Sequence, residues 1–125
     1  MYERYNPNPC GKKVGDCVIR AISKATEQDW YTTYTELALY GLRLCDMPSS
    51  NCVWGKYLTD KGYFQKTTPY IKTKEFCAKY PKGKYILATG THVVCVIDGN
   101  YFDAWDSGEE VITYYFVKEK DNELL

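Results

Sequence analysis

From Lys84 onward the chain is written in short apolar and aromatic runs, 85–89, 92–97, 101–105 and 111–117, separated by Thr89-Gly90-Thr91 and Asp98-Gly99-Asn100. Such runs are strand signals. Asp-Gly between two of them marks a hairpin, because the tightest β-turns need positive φ at both central residues, which Asp tolerates and Gly adopts freely. Strands joined so closely must pair antiparallel, so this half of the chain is constrained to an antiparallel sheet.

The first half carries helical spacing. Gly15-Asp16 is a turn-and-cap signal, and Val18, Ile19, Ala21, Ile22 and Ala25 follow at i+3 and i+4 intervals, predicting a largely buried helix over about 16–24. Thr26-Glu27-Gln28-Asp29 reads as a capping box opening a second helix through about Leu42. Its expected apolar face is Trp30, Tyr34, Leu37, Ala38 and Leu42, with the aromatic pair as core packing. A loop over 45–51 ends in capping residues, so a third helix is expected at 52–59, with Trp54, Tyr57 and Leu58 inward. A short strand at 63–67 and a helix at 73–80, closed by Pro81 and Gly83, complete the middle.

Asn6-Pro7-Asn8-Pro9 excludes a helix near the N-terminus and predicts an extended arm leading to Cys17. Helices come first and the sheet follows, an α+β arrangement with N-terminal helices packed on a C-terminal antiparallel β-sheet. The expected organisation is a single domain over 1–125. It comprises an arm (1–15), a helical part (16–62), a mainly antiparallel sheet (63–117) and a tail (118–125) that frays.

Sixteen basic and sixteen acidic residues cancel, which argues against nucleic acid or an anionic membrane as partner. No apolar stretch approaches the length of a membrane span. The six cysteines, at 10, 17, 45, 52, 77 and 95, are too sparse for a disulfide scaffold, and no charged, apolar leader suggests secretion, so they are expected to be reduced. No CxxC pair occurs and one histidine cannot complete the usual zinc patterns; neither a metal site nor a cofactor is expected.

Two residues carry the chemistry. Cys17 falls in the first turn of the first predicted helix, where unpaired backbone N–H groups and the positive end of the helix dipole favour a thiolate and a neighbouring oxyanion. The bland reading is that it is one more small buried hydrophobe. His92, the only histidine, begins the strand that enters the Asp98-Gly99-Asn100 turn, and the returning strand carries Asp103 and Asp106. A three-residue loop pairs position 92 with Asp106. A two-residue loop pairs 92 with 105 and 94 with 103, making Asp103 the diagonal neighbour. Either register offers His92 a carboxylate that fixes its tautomer and leaves its other nitrogen for a thiol proton. Arg20, one turn beyond Cys17 on a buried helix, is expected to pair internally with a carboxylate.

The order Cys17, His92, then an acid, with GDCVIRAISKAT and THVVCVIDGNYFDAWDS around the first two, resembles the papain-like cysteine peptidase superfamily. The second segment is similar to the histidine hairpin of bacteriocin-processing-peptidase-like domains, and the two segments together resemble small phage and prophage proteins. The resemblance covers about 14–25 and 84–117. It implies a papain-like cysteine proteinase fold, Cys17 as nucleophile, His92 as general base and acid, and Asp106 as orienting acid, with Asp103 the alternative. The superfamily's oxyanion glutamine lies about six residues before the cysteine, where this chain has Gly11; the expectation is that Asn8 or Asn6 substitutes for it or that the Cys17 backbone N–H acts alone.

The expected function is a papain-like cysteine hydrolase or acyltransferase acting on a peptide, amide or isopeptide bond of a peptide or protein substrate. It would work through a Cys17 acyl-enzyme in the cytoplasm of a bacterium or phage-infected cell. The alternative is a catalytically inactive papain-like module that binds a protein partner, which the missing glutamine and thirteen tyrosines favour and which a blocked Cys17 would distinguish.

Overall fold

A computed structural model describes residues 1–118. Of the tail expected at 118–125, only Lys118 falls within them, as the last residue of a strand; the rest lies outside the described residues. Four helices and six strands follow one another as β1 (Tyr2–Arg4), α1 (Cys17–Thr26), α2 (Trp30–Leu44), α3 (Asn51–Asp60), β2 (Tyr63–Lys72), α4 (Thr73–Lys79), β3 (Lys84–Ala88), β4 (Val93–Ile97), β5 (Asn100–Asp103) and β6 (Val111–Lys118). The architecture is α+β. No helix among the described residues is long and apolar enough to cross a membrane.

The strands form one sheet in the order β1-β5-β4-β3-β6-β2. It is mixed: the strands from β2 to β6 pair antiparallel, as expected for 63–117, and the arm, expected only to be extended, adds β1 parallel to β5, with Tyr2 opposite Tyr101 and Arg4 opposite Asp103. The N-terminal arm is thus an edge strand held through β5, and the Met1 ammonium donates to the Gly99 carbonyl at 2.8 Å. Strand β2 also runs past its expected end, to Lys72, with a register shift between Thr67 and Ile71 that accommodates Pro69 on an edge strand.

Alternation along the central strands explains the layering. Ile86, Ala88, Val93 and Cys95 turn to one face and meet Val18, Ile22, Leu37, Trp54 and Leu58 from α1, α2 and α3. Leu87, Val94 and Val96 turn to the other, against Phe76 and Cys77 of α4. Covered on both faces, β4 has no polar position, so it reads as an unbroken apolar run.

Helix α1 buries Val18, Ala21, Ile22 and Ala25 as the periodicity requires. Helix α2 departs from expectation. Its buried line is Thr33, Leu37 and Gly41, while Tyr34 is 49% and Leu42 75% exposed. Gly41 decides this: a Cβ there would meet the Asp46 carbonyl oxygen at 2.7 Å, so the following loop crosses the helix at that position and turns Leu42 outward. The 26–29 segment also divides differently. Thr26 closes α1, Glu27 is its left-handed C-cap, and Asp29 alone caps α2, accepting from Thr32 N at 2.8 Å.

Candidate active site

The β4–β5 hairpin sets the register on which the site depends. Ile97 pairs with Asn100, Val96 with Tyr101 and Cys95 with Phe102. The connection is therefore the two-residue turn Asp98-Gly99, with φ of 49° and 80°, the positive values a type I′ turn needs. Continued back along both strands, this register sets residue 105 opposite His92 and Asp103 diagonal to it.

Asp103, not Asp106, meets the histidine. His92 Nε2 lies 2.6 Å from Asp103 Oδ2, and the Asp103 side chain is fully buried. Ser107 Oγ donates to the same oxygen at 2.6 Å. The other oxygen, Oδ1, accepts from Arg20 Nη2 at 2.8 Å, Arg20 Nε at 3.2 Å and the Ala104 N–H at 2.8 Å. The expectation that Asp106 would orient His92 is corrected by the register. Asp106 is exposed, and its Oδ1 accepts from Tyr101 Oη at 2.5 Å and Gly108 N at 3.1 Å.

Cys17 is the first residue of α1, and its thiol and the His92 imidazole are close enough to shift each other's ionisation. With Nε2 committed to Asp103, Nδ1 is the ring nitrogen left for the sulfur. Burial works against ionising the thiol. The hydrogen bond to His92, the Val93 N–H and the charges of His92 and Arg20 outweigh it, so the Cys17 pKa lies below the ordinary thiol value. For His92, burial lowers the pKa, but Asp103 and Cys17 override it and raise the value to about 9. Both shifts favour a thiolate beside an imidazolium. Burial pushes Cys95 the other way, up to about 12, as befits a thiol used only as packing.

Behind the pair lies a chain of buried polar contacts. Arg20 Nη1 bonds Asp16 Oδ1 at 2.5 Å, and Asp16 Oδ2 accepts from Trp30 Nε1 at 2.9 Å. Arg20 is shared between two carboxylates, and a protonated His92 is the second cation against Asp103. Arg20 thus pairs internally, as the sequence implied, and links α1 to the carboxylate that holds the histidine. The Trp30/Tyr34 pair is not core: the rings stack at 5.0 Å on a part-exposed surface, and Trp30 serves Asp16. Trp105 covers His92, ring centroids 5.0 Å apart, while itself 46% exposed.

The thiol opens into a cavity of about 250 Å³ whose walls include Cys17, Ser49, Asn51, Trp54, His92 and Tyr114. Asn6 and Asn8, expected beside the thiol, are not in it. Asn6 Nδ2 donates to the Lys12 carbonyl at 3.3 Å and Asn6 Oδ1 accepts from Asn8 N, while Asn8 Oδ1 accepts from the N–H groups of Cys10 and Lys12. Both side-chain oxygens and the Asn6 amide nitrogen close the local turn, a usual employment of Asn in an Asn-Pro segment. Reading the sequence alone missed Ser107, which lies four residues beyond Asp103, and Asn51, noticed there only as a capping residue.

Comparison with known proteins adds no assignment: no family model matches the chain, and neither a curated protein nor a solved structure matches it.

Proposed function

We propose that this protein is a papain-like thiol hydrolase or acyltransferase that acts on an amide, isopeptide or thioester bond through an acyl-enzyme at Cys17. One observation carries the reading: a part-exposed cysteine at the head of a helix adjoins the only histidine, whose far nitrogen sits 2.6 Å from a fully buried carboxylate. Nucleophile, base and orienting group are what acyl transfer by a thiol requires. The order of these residues along the chain, and helices packed on a sheet whose strand β4 directly follows the histidine, fit the papain-like arrangement.

In the proposed reaction the Cys17 thiolate attacks the carbonyl carbon, forming the S–C bond while the carbonyl π pair moves to oxygen. The C=O re-forms, the bond to the leaving group breaks, and imidazolium His92 gives its proton to the departing amine or thiol. Neutral His92 then takes a proton from water, or from an acceptor amine. The resulting nucleophile cleaves the thioester, yielding an acid or a new amide and restoring the thiolate. Asp103 holds Nε2–H throughout, so Nδ1 is always the nitrogen that exchanges protons. Cys17 lines an open cavity, which supports this reading over an inactive binding module with a blocked sulfur.

The test uses p-nitrophenyl acetate as a minimal acyl donor. A burst of nitrophenolate with acetylation confined to Cys17, followed by slower turnover, is expected, and Cys17→Ala should abolish both. Acetylation of Cys17 no faster than of exposed Cys10 would overturn the proposal.

A further inference from the structure

Attack of a thiolate on a carbonyl places negative charge on the carbonyl oxygen, and acyl-transfer sites meet it with fixed hydrogen-bond donors. Neither asparagine of the arm reaches the cavity, and Gly11 has no side chain to offer. Asn51, the first residue of α3, lines the cavity together with Cys17 and His92. Its amide is held in one sense by chemistry. Trp54 Nε1, on a side chain that is almost entirely buried, donates to Asn51 Oδ1 at 3.0 Å. Indole N–H can only donate, so the oxygen of the amide must face it and the NH₂ group must lie on the opposite side. Oδ1 therefore serves the protein, and Nδ2 carries two donors with no partner among the hydrogen bonds of the described residues. Asn51 is an exposed residue, so these donors can exchange water for a substrate oxygen.

We propose that Asn51 Nδ2, oriented by Trp54, is the side-chain donor that binds the oxyanion formed when Cys17 attacks an acyl substrate. The inference rests on the thiol acyl-transfer reading. It replaces the donor expected from the arm with one from α3, so two of the elements lining the cavity divide the work: α1 supplies the nucleophile and α3 receives the charge. Asn51 is then a catalytic residue, and Trp54 a positioning one.

The test separates two reactions of the same sulfur. Iodoacetamide alkylates a thiolate by displacement and creates no oxyanion, whereas p-nitrophenyl acetate must pass through one. The ratio of Cys17 acetylation rate to Cys17 alkylation rate, followed by mass spectrometry, therefore reports oxyanion binding independently of how much thiolate is present. Asn51→Ala removes donors and acceptor together; Asn51→Asp keeps an acceptor for Trp54 and replaces the donors with a carboxylate, which repels an oxyanion. Both are expected to lower the ratio by about 10²-fold. No change in either variant would overturn the proposal. So would a fall in Asn51→Ala alone, which would make Asn51 a packing partner of Trp54. Failure of the underlying reading looks different: wild-type Cys17 would then be acetylated no faster than Cys10.

Discussion

Replacing Asp103 by Asn changes one atom and inverts the proton logic of the pair. The Oδ1 side of Asp103 receives two Arg20 donors and the Ala104 N–H, whereas the Oδ2 side faces only His92 and Ser107. The amide oxygen of the substituted side chain must therefore turn to Arg20, leaving its NH₂ toward His92. Ser107 can rotate its hydroxyl to accept. His92 Nε2 must also accept, which drives the ring's proton to Nδ1, the nitrogen facing Cys17, and removes the acceptor for the thiol proton. A charge-assisted hydrogen bond of this kind contributes about 1.5–3 kcal/mol. The rise of the His92 pKa to about 9, shared between Asp103 and Cys17, amounts to roughly 3 kcal/mol. If Cys17 returns to an ordinary thiol of pKa about 8.5, its thiolate fraction at pH 6 is roughly 0.3%, so alkylation there should fall toward that of an ordinary exposed thiol. The assay is iodoacetamide labelling at pH 6, resolved by cysteine, with the exposed Cys10, Cys45 and Cys52 as internal references and Asp106→Asn as control. Wild-type labelling of Cys17 in Asp103→Asn, or an equal loss in Asp106→Asn, would mean that Asp103 does not set where the imidazole proton sits.

Three further outcomes are expected. Arg20→Met leaves two buried carboxylates without their cation and should cost about 3–5 kcal/mol in urea unfolding, far more than the packing change alone. Leu37→Ala should cost about 2–5 kcal/mol because Leu37 is wholly buried, whereas Leu42→Ala should stay within about 0.5 kcal/mol; thermal melts of the two variants check both. The pH dependence of stability should differ between wild type and Cys17→Ala. Folding raises the His92 pKa from an unfolded value of about 6.5 to about 9, which contributes stability present below 6.5 and lost as pH rises toward 9. Folding lowers the Cys17 pKa, contributing in the opposite sense, present above the unfolded thiol value and lost as pH falls. In the wild type one group takes up a proton as the other releases one, and the profile is flattened. Without the thiol, stability should decline through that window; parallel profiles would contradict the coupling.

What the sequence made legible followed from local chemistry. Asp98-Gly99 allows a two-residue turn, and that turn fixes the register bringing Asp103 to His92; the reading from residues held this alternative, while the resemblance pointed to Asp106, which Tyr101 and Gly108 occupy. Cys17 at the head of α1 and the internal pairing of Arg20 followed equally from helix spacing. Non-local features were not legible. A three-residue strand such as Tyr2–Arg4 carries no periodicity, and its parallel pairing with β5 depends on a partner about a hundred residues away. The exposed face of α2 departs from its apolar spacing because that spacing cannot reveal a loop crossing at Gly41. Asn51 reads as a helix cap in one dimension; only folding sets it in the lining of the cavity that also holds Cys17.

Every role proposed for the site depends on the coupling of Cys17 to His92, which a pH titration of Cys17 alkylation in wild type and His92→Ala probes, each cysteine followed separately by mass spectrometry. Cys17 should react well below the free-thiol pKa of about 8.5 and lose that reactivity in His92→Ala, with Cys95 protected in both. A Cys17 that titrates as an ordinary thiol in wild type, or whose titration is unmoved by loss of the imidazole, would show the coupling to be absent.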